Sequence, residues 1–185
     1  MGISGHFLHG GFGFSSHMHG LALDFIVGAT VVLADGSIVE ASASKNADLL
    51  WAIKGAGSSY GIVVSWRLRT FEAPTVLTRF GISMGWNKTN AVAGIEAVEK
   101  YAKLHAPREI NFRIGDYNKG SPGLEGLYYG TEAQWRVAIA PLLADLPSGW
   151  NISGVSNLNW IQAVISYSNY DSIDFITPSP VSDAP

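Results

Sequence analysis

Gly2-Ile3-Ser4-Gly5-His6-Phe7-Leu8-His9-Gly10-Gly11-Phe12-Gly13 follows Met1 at the start of the sequence. Gly5, Gly10, Gly11 and Gly13 are interleaved with two histidines and with bulky Phe7, Leu8 and Phe12. Glycine has no Cβ and tolerates positive φ, so such a backbone can approach a flat or phosphorylated ligand closely. Flexible linkers are rich in Gly and Ser and lack aromatics. The stretch therefore reads as a ligand-facing loop.

Composition narrows the classes. Apolar residues make up 47% of the 185 and charged residues only 15%, which is enough to build a core and too little charge for a disordered tail. A net charge of −3 offers no basic footprint for nucleic acid. No apolar run approaches the ~18 residues of a membrane span, and no partner protein is indicated. With no cysteine, thiolate chemistry and disulfides drop out. No signal-peptide pattern opens the sequence, and His6 breaks a myristoylation motif. Two glycosylation sequons, Asn87-Lys88-Thr89 and Asn151-Ile152-Ser153, lean weakly toward secretion.

Moving outward, residues 25–34 are β-branched and predict a strand. Asp35-Gly36-Ser37 is a hairpin turn, and residues 38–41 return from it. A short helix is expected over 44–54, with Leu49, Leu50 and Ile53 on one face and Gly55 as its stop. Gly55-Ala56-Gly57-Ser58-Ser59-Tyr60-Gly61 is a second glycine loop, and 62–70 alternates as a half-buried strand. Pro74 marks a boundary. Strands near 76–84, 110–116 and 124–129 follow, with helices over about 89–104, from the Thr131/Gln134 capping box to about 146, and near 160–167. The fold class is α+β. The proline-containing stretch 177–185 is expected to be a loose tail.

Several motifs in fixed order resemble one family. They are Gly2-Ile3-Ser4-Gly5-His6, Gly10-Gly11-Phe12-Gly13-Phe14-Ser15-Ser16, His19-Gly20-Leu21-Ala22-Leu23-Asp24, Val31 to Ser37, and Leu49 to Val63. Together they resemble the FAD-linked oxidases of the vanillyl-alcohol-oxidase type with a PCMH-type flavin fold, in the branch of berberine-bridge-enzyme-like and glucooligosaccharide oxidases. Glu125-Gly126-Leu127-Tyr128-Tyr129-Gly130 and Trp160-Ile161-Gln162-Ala163-Val164 are similar to the start of that family's substrate domain.

The resemblance implies a partial FAD-binding domain over 1–72, then part of a substrate domain over 73–176 with an antiparallel sheet and flanking helices. It implies FAD as cofactor, with Gly2, Ile3, Ser4, Gly5, His6, Gly10, Gly11, Gly13, Asp24, Tyr60, Gly61, Ile62 and Val63 at the flavin pocket. His6 matches a histidine that tunes the flavin. An imidazole donor there would stabilise the negative charge that grows as flavin accepts hydride. Ser4 departs from the pattern, standing where a second glycine is usual, and His9 and His17 replace a glycine and an arginine. The implied reaction is hydride transfer from a carbohydrate or alcohol to flavin, with O₂ as acceptor, in a secreted parent enzyme.

The resemblance also implies missing parts: the pyrophosphate lobe, both flavin tethers and the catalytic base. The chain accordingly reads as an internal slice, with no catalytic residue of its own and no activity alone. The alternative is a non-enzymatic truncated or degenerate paralogue that binds no flavin.

Other groupings read more plainly. Gly11-Phe12-Gly13-Phe14-Ser15-Ser16 lacks the third glycine of a Rossmann fingerprint and no strand precedes it. His6, His9, His17 and His19 lack metal-ligand spacing and an accompanying carboxylate, so no metal site is expected. Trp51, Trp135 and Trp160 read as core residues, and Asp116 and Glu125 as surface residues. Tyr128, Tyr129 and Trp86 are secondary candidates for stacking on a sugar.

Overall fold

The computed structural model describes residues 2–116 and 122–168, with α6 reaching Ser168. The chain divides into two compact units, residues 1–72 and 73–185. The expected tail at 177–185 lies outside the described residues.

In the first unit, β1 (Ile26–Val32), β2 (Ile38–Ser42) and β3 (Ile62–Leu68) form an antiparallel sheet in the order β2-β1-β3. The turn from β1 to β2 is fixed locally. Asp35 Oδ1 accepts from the Ser37 amide at 2.9 Å and the Ser37 hydroxyl at 2.6 Å, and Gly36 takes φ +83°. These bonds hold the Asp35 carboxyl below the usual carboxylate range. One sheet face buries Ile26, Ala29, Val31 and Ala41 against Leu50 and Ile53 of α3 (Ala47–Ala56).

The expected helix start at Ser44 is corrected to Ala47. Ser42 and Lys45 exchange backbone bonds (Ser42 N to Lys45 O, 2.7 Å) that close a tight turn there. Asn46 then reverses the chain in the left-handed region at φ 51°. The stop arrives as read, since Lys54 and Gly55 leave helical geometry. Trp51 is not a core residue: it is 80% exposed, on the side of α3 opposite Leu50 and Ile53.

In the second unit, β4 (Leu77–Ser83), β5 (Ile110–Asp116), β6 (Pro122–Tyr128) and β7 (Asn151–Leu158) form an antiparallel sheet in the order β5-β6-β4-β7. Helices α4 (Ala91–Leu104) and α5 (Glu132–Asp145) bring Tyr101, Trp135, Ile139 and Leu142 onto the sheet face that carries Phe80, Ile82 and Met84. Thr131 and Gln134 form the expected capping box. The Tyr101 hydroxyl donates to Ala138 O at 2.9 Å and ties α4 to α5. A further helix, α6 (Trp160–Ser168), follows β7.

Strand β7 was not legible in the sequence. Its apolar residues Ile152, Val155 and Leu158 recur every third position: a register shift against β4 between Gly81 and Ile82 makes the step from Ile152 to Val155, whereas Val155 and Leu158, in unbroken register, fall on opposite faces. The extra residue of a bulge breaks the period-two signature.

Candidate functional site

The opening glycine stretch, read from sequence as a loop, is partly helical. It forms α1 (Ile3–Phe7), a turn through Gly10 and Gly11, then α2 (Ser16–His19) and a 3-10 turn over Ala22–Phe25. Glycine-rich sequence weakens a helix but does not forbid one turn held by tertiary packing. Here Phe7 packs edge-on against Trp66, with ring centroids 5.9 Å apart, and the Trp66 indole donates to Ser4 Oγ at 2.9 Å. The side chain that departs from the family pattern thus has a partner on β3. Trp66 carried no functional signal in the sequence.

The glycines sort into two kinds by what a Cβ would meet. Gly11 is buried at φ +81°, where a Cβ would stand 2.4 Å from that of Ala22. Gly10 and Gly11 carbonyls accept from Leu23 and Ala22, both at 3.0 Å. Gly61 would collide with Val32 O at 2.6 Å, and Gly57 with the Leu8 side chain. These glycines are demanded by the chain's own packing. The Leu8–Gly57 approach also brings the two glycine stretches together within the first unit.

Around Gly2, Gly5 and Gly13 nothing among the described residues, beyond the immediate neighbours in the chain, lies within 4 Å of the Cβ position. Beside Gly5, the His6 ring is part-buried against Gly11 and makes no hydrogen bond to the described residues. Exposed Ile3 adds an apolar wall at 56% exposure. A bare backbone, one apolar side chain and a spare imidazole donor fit the edge of a flat, polar-rimmed ring system such as a flavin.

Other expected pocket residues divide. The Gly13 amide is engaged, donating to Ser16 Oγ at 2.9 Å. Asp24 Oδ2 caps its own 3-10 turn through the Leu21 amide at 2.9 Å. Exposed Tyr60 closes the turn after α3, while Ile62 points out of β3 and Val63 points into the core. Among the described residues no group of three His, Cys, Asp or Glu side chains could hold a metal ion.

A second site lies on the sheet face of the second unit opposite α4 and α5. Gly81, Gly123 and Gly154 floor a groove of about 480 Å³, with Ser83, Ser153 and Ser156 along it. Glu125, expected at the surface, is instead largely covered and lies between two guanidinium groups. Its Oε1 accepts from Arg113 Nε at 2.7 Å and from Arg113 Nη2, and its Oε2 lies 4.0 Å from Arg79 Nη2. Arg79 also sits 5.5 Å from the centre of the Tyr167 ring, supplied by α6. Burial pushes the Tyr167 phenol up to about 12, with Arg79 pulling against it, so it stays a neutral phenol near neutral pH. The sequence pointed to Tyr128, Tyr129 and Trp86 instead, and Tyr129 is half-buried. Tyr128 is buried in the core, and Trp86 lies over Gly94 of α4. A small-residue floor flanked by fixed charges and hydroxyls matches a ligand rich in hydroxyl groups.

No family model matches the chain. It is 67% identical over 184 residues to the carbohydrate oxidase of Microdochium nivale, covering 99% of this chain and 37% of that protein. It is 44% identical over 180 residues to the xylooligosaccharide oxidase of Thermothelomyces thermophilus, covering 96% of this chain and 36% of the relative. The fold superposes on the crystal structure of the Microdochium enzyme in complex with a substrate analogue at a TM-score of 0.91, over 98% of this chain and 38% of the other. It matches the glucooligosaccharide oxidase of Acremonium strictum, studied for its 6-S-cysteinyl, 8α-N1-histidyl FAD, at 0.90 and 34% identity, over 100% of this chain and 38% of the other. The chain spans just over a third of the length of these relatives.

Proposed function

We propose, for a chain related along its length to the FAD-linked oligosaccharide oxidases and berberine-bridge-enzyme-like enzymes, that it forms one wall of a flavin site and part of a carbohydrate site in a secreted oxidase. What supports this most is the 67% identity to a carbohydrate oxidase, carried through both the glycine stretches and the groove-bearing sheet. When bound, FAD supplies a two-electron acceptor for a hydride from an alcohol carbon, with O₂ as the final acceptor.

The chain's own residues bind and orient. Gly2 and Gly5 let the backbone come against the flavin edge, Ile3 covers it, and the His6 N–H stabilises negative charge there. Ser4, held by Trp66, fixes the position of α1. On the second unit, Glu125 accepts from sugar hydroxyls while Arg113 and Arg79 hold its carboxylate in place. The pyrophosphate contacts, the covalent tethers and the base that removes the alcohol proton belong to the rest of the enzyme.

A chimera tests the reading: this chain replaces the matching segment of the Microdochium oxidase. The expected product carries flavin and releases hydrogen peroxide with oligosaccharides. A folded chimera that contains no flavin would refute the cofactor wall. One with flavin but no turnover on any carbohydrate would refute the substrate half. The chain alone is expected to bind FAD weakly or not at all and to show no oxidase activity.

A further inference from the structure

The two sequons come to the same end of the second sheet. Asn151 opens β7 opposite Ser83, and Asn87 follows Ser83 by four residues in the turn before α4. Their local chemistry differs. Asn87 is exposed, and its Oδ1 accepts from the Thr89 amide at 2.8 Å and the Asn90 amide at 3.3 Å. The Asn90 side chain in turn accepts from the Asn87 amide at 2.8 Å. With Oδ1 engaged, Nδ2 is left without a hydrogen bond to the described residues, as is the Thr89 hydroxyl. All these bonds span at most three residues, so the turn can form in a nascent chain before the sheet exists. Asn151 is exposed as well, but it opens the β7 strand and its side chain makes no such local turn among the described residues, so only Asn87 is presented by a turn that forms before the sheet.

We propose that Asn87 is an acceptor for N-linked glycosylation and that it is preferred over Asn151. The donor is an oligosaccharide carried on a lipid diphosphate. Asn87 Nδ2 forms the bond to the anomeric carbon while the bond from that carbon to the diphosphate oxygen breaks. The lipid diphosphate leaves with the electron pair, and one Nδ2 proton passes to a base of the transferase. Nothing is oxidised or reduced. The attached sugar stands beside the first two turns of α4, where Val92 and Ile95 are 68% and 51% exposed, and shelters apolar surface that the fold leaves to water. The proposal is independent of the oxidase reading, since it requires only entry into a secretory lumen.

The chain, fused to a cleavable secretion signal and translated with microsomes, gives protease-protected molecules in which both sequons have met the transferase. Digestion with peptide N-glycosidase in heavy-oxygen water marks each former glycan site as labelled aspartate. Label at Asn87 in most protected molecules is expected, lost in T89A and retained in N151Q. T89A leaves the asparagine and its exposure intact, so the loss reports sequon recognition. Protected molecules with unlabelled Asn87, or with label at Asn151 in preference, would overturn the proposal.

Discussion

Two alanine substitutions six residues apart separate glycines that serve the fold from those left open to a ligand. At Gly11 the backbone has φ +81°, and a Cβ would stand 2.4 Å from that of Ala22. A left-handed alanine costs about 1–2 kcal/mol, and forcing a methyl into occupied space adds about 1–3 kcal/mol. Relief by movement would break the paired bonds from Ala22 and Leu23 to the Gly11 and Gly10 carbonyls. G11A should therefore destabilise the first unit by roughly 2–5 kcal/mol. Gly5 is helical and open, so G5A should stabilise α1 by about 0.5–1 kcal/mol through backbone entropy alone. The same methyl projects into the space assigned to the flavin edge. In the chimera, thermal melting by circular dichroism and flavin absorbance per protein are read together. G5A is expected to melt no lower than its parent while losing flavin occupancy. A G5A protein with unchanged flavin content would refute the assignment of that surface, and an unchanged melt for G11A would refute the sorting of glycines by packing.

Other perturbations probe the remaining links. Removing the indole donor in W66F should loosen α1 and cost about 1 kcal/mol, the net worth of one hydrogen bond, whereas S4A in the W66F background should add almost nothing; the double-mutant cycle in urea measures the coupling. Tyr101 is 1% exposed and burial pushes its phenol up to about 12, so its contribution is fully present below the unfolded value near 10 and is lost as pH rises toward 12. That window holds about 3 kcal/mol; urea midpoints from pH 8 to 11 should fall less steeply in Y101F than in the parent, and parallel curves would contradict the burial argument. E125Q in the chimera removes the charge that Arg113 and Arg79 hold in place. It is expected to raise KM for oligosaccharides about tenfold, one lost charge-assisted hydrogen bond, with flavin content unchanged.

Local chemistry was legible wherever short-range bonds decide structure. The Asp35-Gly36-Ser37 turn, the Thr131/Gln134 capping box and the stop at Gly55 each arise within a few residues, so each could be read directly. The Gly2–Gly13 motif likewise identified the kin of this chain by its order of glycines and His6. It did not disclose that α1 forms there, because Trp66 and Phe7, far apart in sequence, hold the segment together.

Tertiary structure decided which glycines face their own chain and which face open space, because that depends on the arrival of Ala22, Leu8 and Val32 at particular positions. It hid β7 behind a bulge that only the partner strand β4 defines. It exposed Trp51, whose apolar character said core, and it drew Glu125 between Arg79 and Arg113, which lie on two other strands. Sequence alone determined the periodicities, turns and motif order of this protein, since these depend on neighbours along the chain. The composition of its two candidate surfaces required the fold, since those surfaces are made by residues that meet only across strands.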